Sequence, residues 1–175
     1  MEKFLVRKAK AEDAYWIAFV NAYTRYTAYK WLIPEKVLKT RVDSISERAE
    51  KTREFIEGGK EYLVVENTET NEIVWMLFCC PSRNGDYPNS GEIVAIYVLQ
   101  EYQKLGIGKK LFLAWISELI KLGYNDMIIN VLEWNDTINF YKKYGGTVVW
   151  ERYDLFWTER LKEFILFFDD IKSIK

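Results

Sequence analysis

Phe4 to Ala9, three apolar residues followed by Arg7, Lys8 and Ala9, alternates loosely, enough to predict a first strand. The period then lengthens. Tyr15, Phe19, Ala22, Tyr26 and Tyr29 recur three or four residues apart, the spacing of one helical face. They follow Glu12 and Asp13, whose negative charge suits the positive end of a helix dipole. Pro34 breaks that pattern, because it has no amide hydrogen to donate and its ring crowds the preceding turn. A second helix is predicted from about Ser46 to Glu57, stopped by Gly58 and Gly59. Branched and aromatic residues dominate Tyr62 to Glu66 and Ile73 to Cys80, and the turn-like NTETN between them makes the pair a hairpin. PSRNGDYPNSG then reads as a surface loop.

The run EIVAIYVL, Glu92 to Leu99, is apolar almost without alternation, the pattern of a central strand covered on both faces. By the same pattern Glu92 reads as the strand's solvated end. A glycine pair, Gly106 and Gly108, comes next. It directly precedes Leu111, Phe112, Trp115, Ile116, Leu119 and Ile120, which mark one face of a helix closed by Gly123. Met127 to Leu132 is a further strand. Asn135 to Tyr144 is a short helix with Asn135 as its N-cap and Gly145-Gly146 as its stop. Thr147 to Arg152 and Glu163 to Phe168 close the series as two strands.

A chain of 175 residues with 49% hydrophobic content and no linker-like stretch predicts a single domain over 1–175. A net charge of -1 gives no basic field to favour nucleic acid or an anionic membrane. The start, MEKFLVRKAK, has too short an apolar run for a signal peptide, and Ile73 to Cys80 falls far short of the roughly 20 residues that span a bilayer. A cytoplasmic protein with no nucleic-acid or membrane partner is expected. Cys79 and Cys80 are neighbours, which rarely have the geometry of a disulfide, and read as strand residues of a reduced protein. Histidine is absent, which removes the commonest general base, the histidine-activated nucleophiles and the most frequent zinc ligand. Any proton chemistry must rest on carboxylate, tyrosine, lysine, cysteine or water.

A buried strand leading through a glycine turn into a helix can hold phosphate, because backbone N–H groups converge there and side chains would obstruct the approach. The spacing alone equally admits a tight turn without a ligand. Gly-x-Gly lacks the third glycine of the dinucleotide fingerprint and the Gly-Lys-Ser/Thr ending of a P-loop. The flanking residues are more specific. GEIVAIYVLQEYQKLGIGKKLF followed by NVLEWNDTINFYKKYGG resembles the GCN5-related N-acetyltransferase (GNAT) family, with its Gln/Arg-x-x-Gly-x-Gly/Ala loop and its later Asn-x-x-Ala-x-x-Phe-Tyr-x-x-x-Gly segment.

The resemblance implies an α/β (α+β) GNAT fold: a mixed, mostly antiparallel sheet of about seven strands flanked by helices, with a splayed strand pair forming an acetyl-CoA cleft. It implies acetyl-CoA as cosubstrate, no metal, and direct acetyl transfer to an amine of a small molecule or a peptide, with a homodimer left open. A CoA-binding regulatory domain without turnover is the alternative. Carried over by position, the main chain of Ile96, Tyr97 and Val98 would pair with the pantetheine arm, the Ile96 N–H facing the thioester carbonyl. Gln103, Lys104, Leu105, Gly106, Ile107, Gly108 and Lys109 would wrap the pyrophosphate, and Asn135 would bond near the pantetheine. Tyr141 would be the general acid to the departing thiolate and Glu92 the base, acting through water. Two positions depart from the family pattern: Ile138 stands where Ala is usual, and Gly146 where Phe is usual. The acceptor would be lined by about 23–53 and 153–162, where Tyr26, Tyr29, Trp31, Tyr153 and Trp157 offer ring faces to a cationic amine.

Overall fold

The computed structural model describes residues 3–156 and 159–175. Its strands are β1 (Phe4–Lys8), β2 (Tyr62–Asn67), β3 (Glu72–Pro81), β4 (Gly91–Val98), β5 (Met127–Leu132), β6 (Thr147–Phe156) and β7 (Glu159–Phe168). Its α-helices are α1 (Ala14–Tyr29), α2 (Glu35–Asp43), α3 (Ile45–Glu57), α4 (Ile107–Lys121) and α5 (Thr137–Lys143). The strands form one seven-stranded sheet in the order β1-β2-β3-β4-β5-β7-β6. β4 and β5 run parallel, whereas β1 with β2, β2 with β3, β5 with β7 and β6 with β7 run antiparallel. This is the mixed, mostly antiparallel sheet that the resemblance implies. The chain divides into two compact units, residues 1–78 with 95–111, and residues 79–94 with 112–175.

In the first unit, α1 buries Ala14, Ile17, Ala18, Val20 and Ala22. Ile17 and Val20 pack with Tyr62 and Val64 of β2 and Ile73 and Met76 of β3, while Ala18 and Ala22 meet Ile45 and Ala49 of α3. The stripe of Tyr15, Phe19, Ala22, Tyr26 and Tyr29 faces the core only in part: Ala22 is buried and Phe19 packs beside it, whereas Tyr15 is exposed. Tyr15 and Tyr23 are 47% and 40% exposed, and with Trp16 and Phe19 they form a chain of ring contacts along the helix. Small residues win the inner face because two helices can approach closely only over alanines. The sequence pattern also misses α2. Pro34 ends the first periodicity but starts the next helix, its carbonyl accepting from the N–H groups of Val37 and Leu38 at 2.9 and 3.3 Å. Leu38 is the one residue that α2 buries, so the helix leaves almost no apolar period to read.

In the second unit, Phe112, Trp115 and Leu119 of α4 are fully buried, and Phe112 meets Phe140, Tyr141 and Tyr144 of the α5 segment and Phe168 of β7. A Cβ on Gly146 would stand 2.7 Å from the Phe168 ring, so the glycine at the family's phenylalanine position makes room for a ring that β7 supplies instead. β6 and β7 are longer than predicted, pairing out to Phe156 with Glu159. Tyr153 and Leu155 are 60% and 68% exposed, so the extension rests on main-chain pairing and carries no apolar signal.

Candidate active site

Only the beginning of β4, Gly91 to Ile93, is buried, and the strand is half-buried from Val94 to Val98. The expectation of a strand covered on both faces along its length therefore fails beyond Ile93. β4 pairs with β5 through Gly91–Met127, Glu92–Ile128 and Ile93–Ile129. A ladder of three pairs leaves main-chain groups of Ile96, Tyr97 and Val98 that this pairing does not use, as an added strand requires.

In the same unit as Ile96 to Val98, the amide nitrogen of Gln103 donates back to the Val98 carbonyl at 3.3 Å, tying the loop to the end of β4. Lys104 and Gly106 adopt φ of 61° and 75°, bracketing Leu105, which is 57% exposed. A glycine is the natural choice for such a left-handed position. Gly108 has a different reason: a Cβ there would lie 3.1 Å from the indole of Trp75 on β3. One glycine thus serves the turn and the other serves packing. Ile107 is buried at the start of α4, whose first N–H groups have no partner within the helix and can meet an anion, while Lys104 and Lys109 are exposed beside them.

The second unit carries Glu92, Asn135 and Tyr141. Tyr141, on α5, is 3% exposed, with its ring against Phe112 and Phe140 at 5.8 and 5.4 Å. Asn135 caps α5 one residue earlier than a standard N-cap, its Oδ1 accepting from the Thr137 N–H at 3.0 Å.

Glu92 is 1% exposed rather than a solvated end. Its Oε2 accepts from the Arg83 N–H at 2.8 Å and from Nε at 3.2 Å. Its Oε1 accepts from Arg83 Nη2 at 2.6 Å and from Asn130 Nδ2 at 3.3 Å. On the same sheet face Glu163, 7% exposed, accepts two bonds from Arg152 at 3.1 and 2.9 Å. Burial pushes the Glu163 carboxyl above its usual range, Asp154 and Glu92 push the same way, and Arg152 opposes them. Asn130 Oδ1 is buried with no protein partner. Arg83, Asn130, Arg152 and Glu163 escaped the sequence reading. Asn130 inside the apolar run MIINVL and Glu163 at the head of EFILFF are the available signal.

Three of the aromatic residues expected to meet a cationic acceptor have a partner in the chain itself, although Trp31 and Tyr153 stay 84% and 60% exposed. Lys30 Nζ lies 5.0 Å from the centre of the Trp31 ring, and the Arg160 guanidinium lies 5.2 Å from that of Tyr153. Tyr26 donates its hydroxyl to Glu35 at 2.9 Å. Trp157 lies outside the described residues.

Residues 58–145 match the Acetyltransferase (GNAT) domain family. The chain is 31% identical over 170 residues to the uncharacterized N-acetyltransferase YuaI of Bacillus subtilis, covering 97% of this chain and 95% of that one. Among solved structures it resembles yncA, a putative acetyltransferase from Salmonella typhimurium with its cofactor acetyl-CoA, at a TM-score of 0.71 and 18% identity over 96% of this chain and 94% of that one. It also resembles the paia N-acetyltransferase of Thermoplasma acidophilum in complex with coenzyme A, at a TM-score of 0.73 and 18% identity over 95% and 98%. At that identity the two structures speak to the fold.

Proposed function

The chain belongs to the GNAT acetyltransferase family and is an acetyl-CoA-dependent N-acetyltransferase, and on that premise we propose that it moves the acetyl group directly from the thioester to a primary amine of a small molecule or a peptide. The whole chain, 1–175, works as one transferase domain in the cytoplasm. The observation that carries this reading is the loop after β4. Left-handed Lys104 and Gly106 turn the main chain at the start of α4, next to exposed Lys109, in a cradle suited to a pyrophosphate.

Bound acetyl-CoA supplies an activated acyl group and a thiol leaving group. The chain's own residues do the rest. Main-chain groups of Ile96, Tyr97 and Val98 hold the pantetheine as an added strand, and the Ile96 N–H stabilises the charge that develops on the carbonyl oxygen. Gln103 to Lys109 hold the phosphates. Asn135 commits its Oδ1 to Thr137 and turns its amide nitrogen to the pantetheine. Tyr141 donates its hydroxyl proton to the departing thiolate.

An alkyl ammonium with a pKa near 10.4 must lose a proton before it attacks. Glu92 receives that proton through water. Both of its oxygens already accept two hydrogen bonds, so Arg83, whose side chain is 61% exposed, has to release one of them first. Fixing the two reactants in line can supply roughly 7 to 11 kcal/mol, more than either proton group.

The test is thiol release from acetyl-CoA across polyamines, amino acids, aminoglycosides and N-terminal peptides. Acceptor-dependent release with at least one class is expected. Acetyl-CoA binding without such release for any of them would reduce the chain to a binding domain.

A further inference from the structure

In the first unit a cleft of about 170 Å³ opens between α1 and α3 over β2 and β3, with Asn21, Arg41, Arg48, Lys51 and Thr52 on its polar walls and Tyr62 in its floor. This is smaller than the roughly 300–1,000 Å³ of sites for drug-sized ligands, and it suits a single small group. Its charge is one-sided. Arg41 is oriented by the neutral amide oxygen of Asn21, which accepts from Nη1 at 2.8 Å. Arg48 is oriented by a hydroxyl, donating from Nε to Ser44 Oγ at 3.0 Å. Lys51, by contrast, reaches away to Glu47 at 2.6 Å. Burial pushes the Arg41 guanidinium down to about 10, and the like charges of Arg25 and Arg48 push it further the same way. It stays cationic at neutral pH in a place that disfavours its charge. Arg25 in turn lies 5.0 Å from the centre of the ring of Tyr97 on β4, so the basic cluster borders the strand assigned to the pantetheine arm.

We propose that this cleft is an anion subsite of the acceptor, so that the amine acetylated here also bears a carboxylate or phosphonate group, gripped by Arg41 and Arg48. The proposal rests on the transferase reading above. A planar guanidinium fork matches such oxyanions in geometry as well as charge. An incoming anion would relieve the crowding of like charges, which gives the site a reason to be assembled this way.

Matched acceptors test this. L-leucine is compared with L-leucinamide, and 2-aminoethylphosphonate with ethanolamine, by thiol release from acetyl-CoA. The anionic member of a pair is expected to lead in kcat/KM by about 10- to 100-fold, the range of one charge-assisted contact. Arg41→Gln and Arg48→Gln should each shrink that ratio about tenfold, through the KM of the anionic acceptor. A wild-type ratio at or below one, turnover confined to neutral or cationic amines, or a raised KM for acetyl-CoA in the arginine variants would overturn the proposal, the last by giving the cluster to the cosubstrate's phosphates. If no amine is acetylated, inorganic phosphate titrated into wild type and the Arg41→Gln/Arg48→Gln double variant separates the two failures. A rise in melting temperature seen only in wild type keeps the anion site while the transferase reading falls, and equal behaviour removes the site.

Discussion

Glu92 and Glu163 in the second unit each meet an arginine, brought by the 82–90 loop in one case and by β6 in the other. In the first unit Arg41 and Arg48 meet an amide and a hydroxyl. The first unit can neutralise charge when that is all it needs: Arg7 there holds Asp13 and Glu66, each at 2.6 Å. Desolvating a charge costs several kcal/mol unless an opposite charge or enough hydrogen bonds offset it. A cluster closed by its own counter-ions is complete as it stands. A cleft lined by Arg41, Arg48 and Lys51 and, among the described residues, by no carboxylate keeps a field that a ligand can use. On this difference the arginines of the second unit hold its carboxylates in place, while those of the first are the ones proposed to select what enters.

The largest effect expected is at neither cluster. Tyr141→Phe should lower kcat by about 10² to 10⁴ with acetyl-CoA affinity little changed, measured by steady-state kinetics and cofactor titration. The ring and its packing survive, and only the hydroxyl goes. Full activity would return Tyr141 to the role of a core residue and leave the second unit without an acid.

Glu92→Gln tests how closed the second cluster is. As the proton acceptor, it should cost about 10² in rate near pH 7 and progressively less as the pH approaches that of the free amine. A loss of the same size at every pH would make the Glu92–Arg83 pair purely architectural and sharpen the contrast with Arg41 and Arg48.

Acetyl-CoA at 100 times its dissociation constant should stabilise the wild-type fold by about 2.7 kcal/mol, read as roughly 5 to 10 °C in melting temperature. Gly106→Asp should lose most of that shift, because it sets an anion against the phosphates. Gly106→Asn separates charge from conformation. Space is open around Gly106 and asparagine tolerates its φ of 75°, so this variant should keep most of the shift. Equal shifts in all three proteins would take the loop out of the site.

The smallest effect is expected at Glu163. Its carboxyl is raised in the folded state, so folding disfavours its charged form. The penalty is absent below the unfolded value of 4.5 and grows as pH rises through the folded value. Glu163→Gln should remove that fall in stability on the alkaline side of pH 4.5 while changing stability at pH 7 by no more than about 1 kcal/mol, because Arg152 can turn its half-exposed side chain to water. An unchanged pH profile of melting temperature in the variant would show that Arg152 fully offsets the burial.

Where the sequence was legible, one local signal sufficed. The hairpin of β2 and β3, the apolar face of α4 and the glycine turn before it all follow from period and punctuation within a dozen residues. The stripe on α1 was only partly right because two helical faces were available, and the choice between Tyr15 and Ala14 with Ala18 as the buried side depended on how near α3 comes. α2 was invisible because it buries little more than Leu38. The candidate site divides the same way. The loop from Gln103 to Lys109 could be located from its glycines and the resemblance, but the partner of Glu92 could not. Arg83 sits nine residues away in a loop with no period, and Asn130 arrives from a strand 38 residues on. Ion pairs across a sheet leave no trace in local spacing.

The contact between Gly108 and Trp75 carries a genealogical consequence. The family's loop pattern tolerates alanine at the second glycine, yet in this lineage that exchange presses a methyl group against an indole on another strand. The two positions are therefore expected to drift together. A descendant that gains alanine in place of Gly108 should already carry a smaller ring in place of Trp75, and a chimera that grafts an alanine-bearing loop onto this chain should recover its stability only when Trp75 is replaced in the same step.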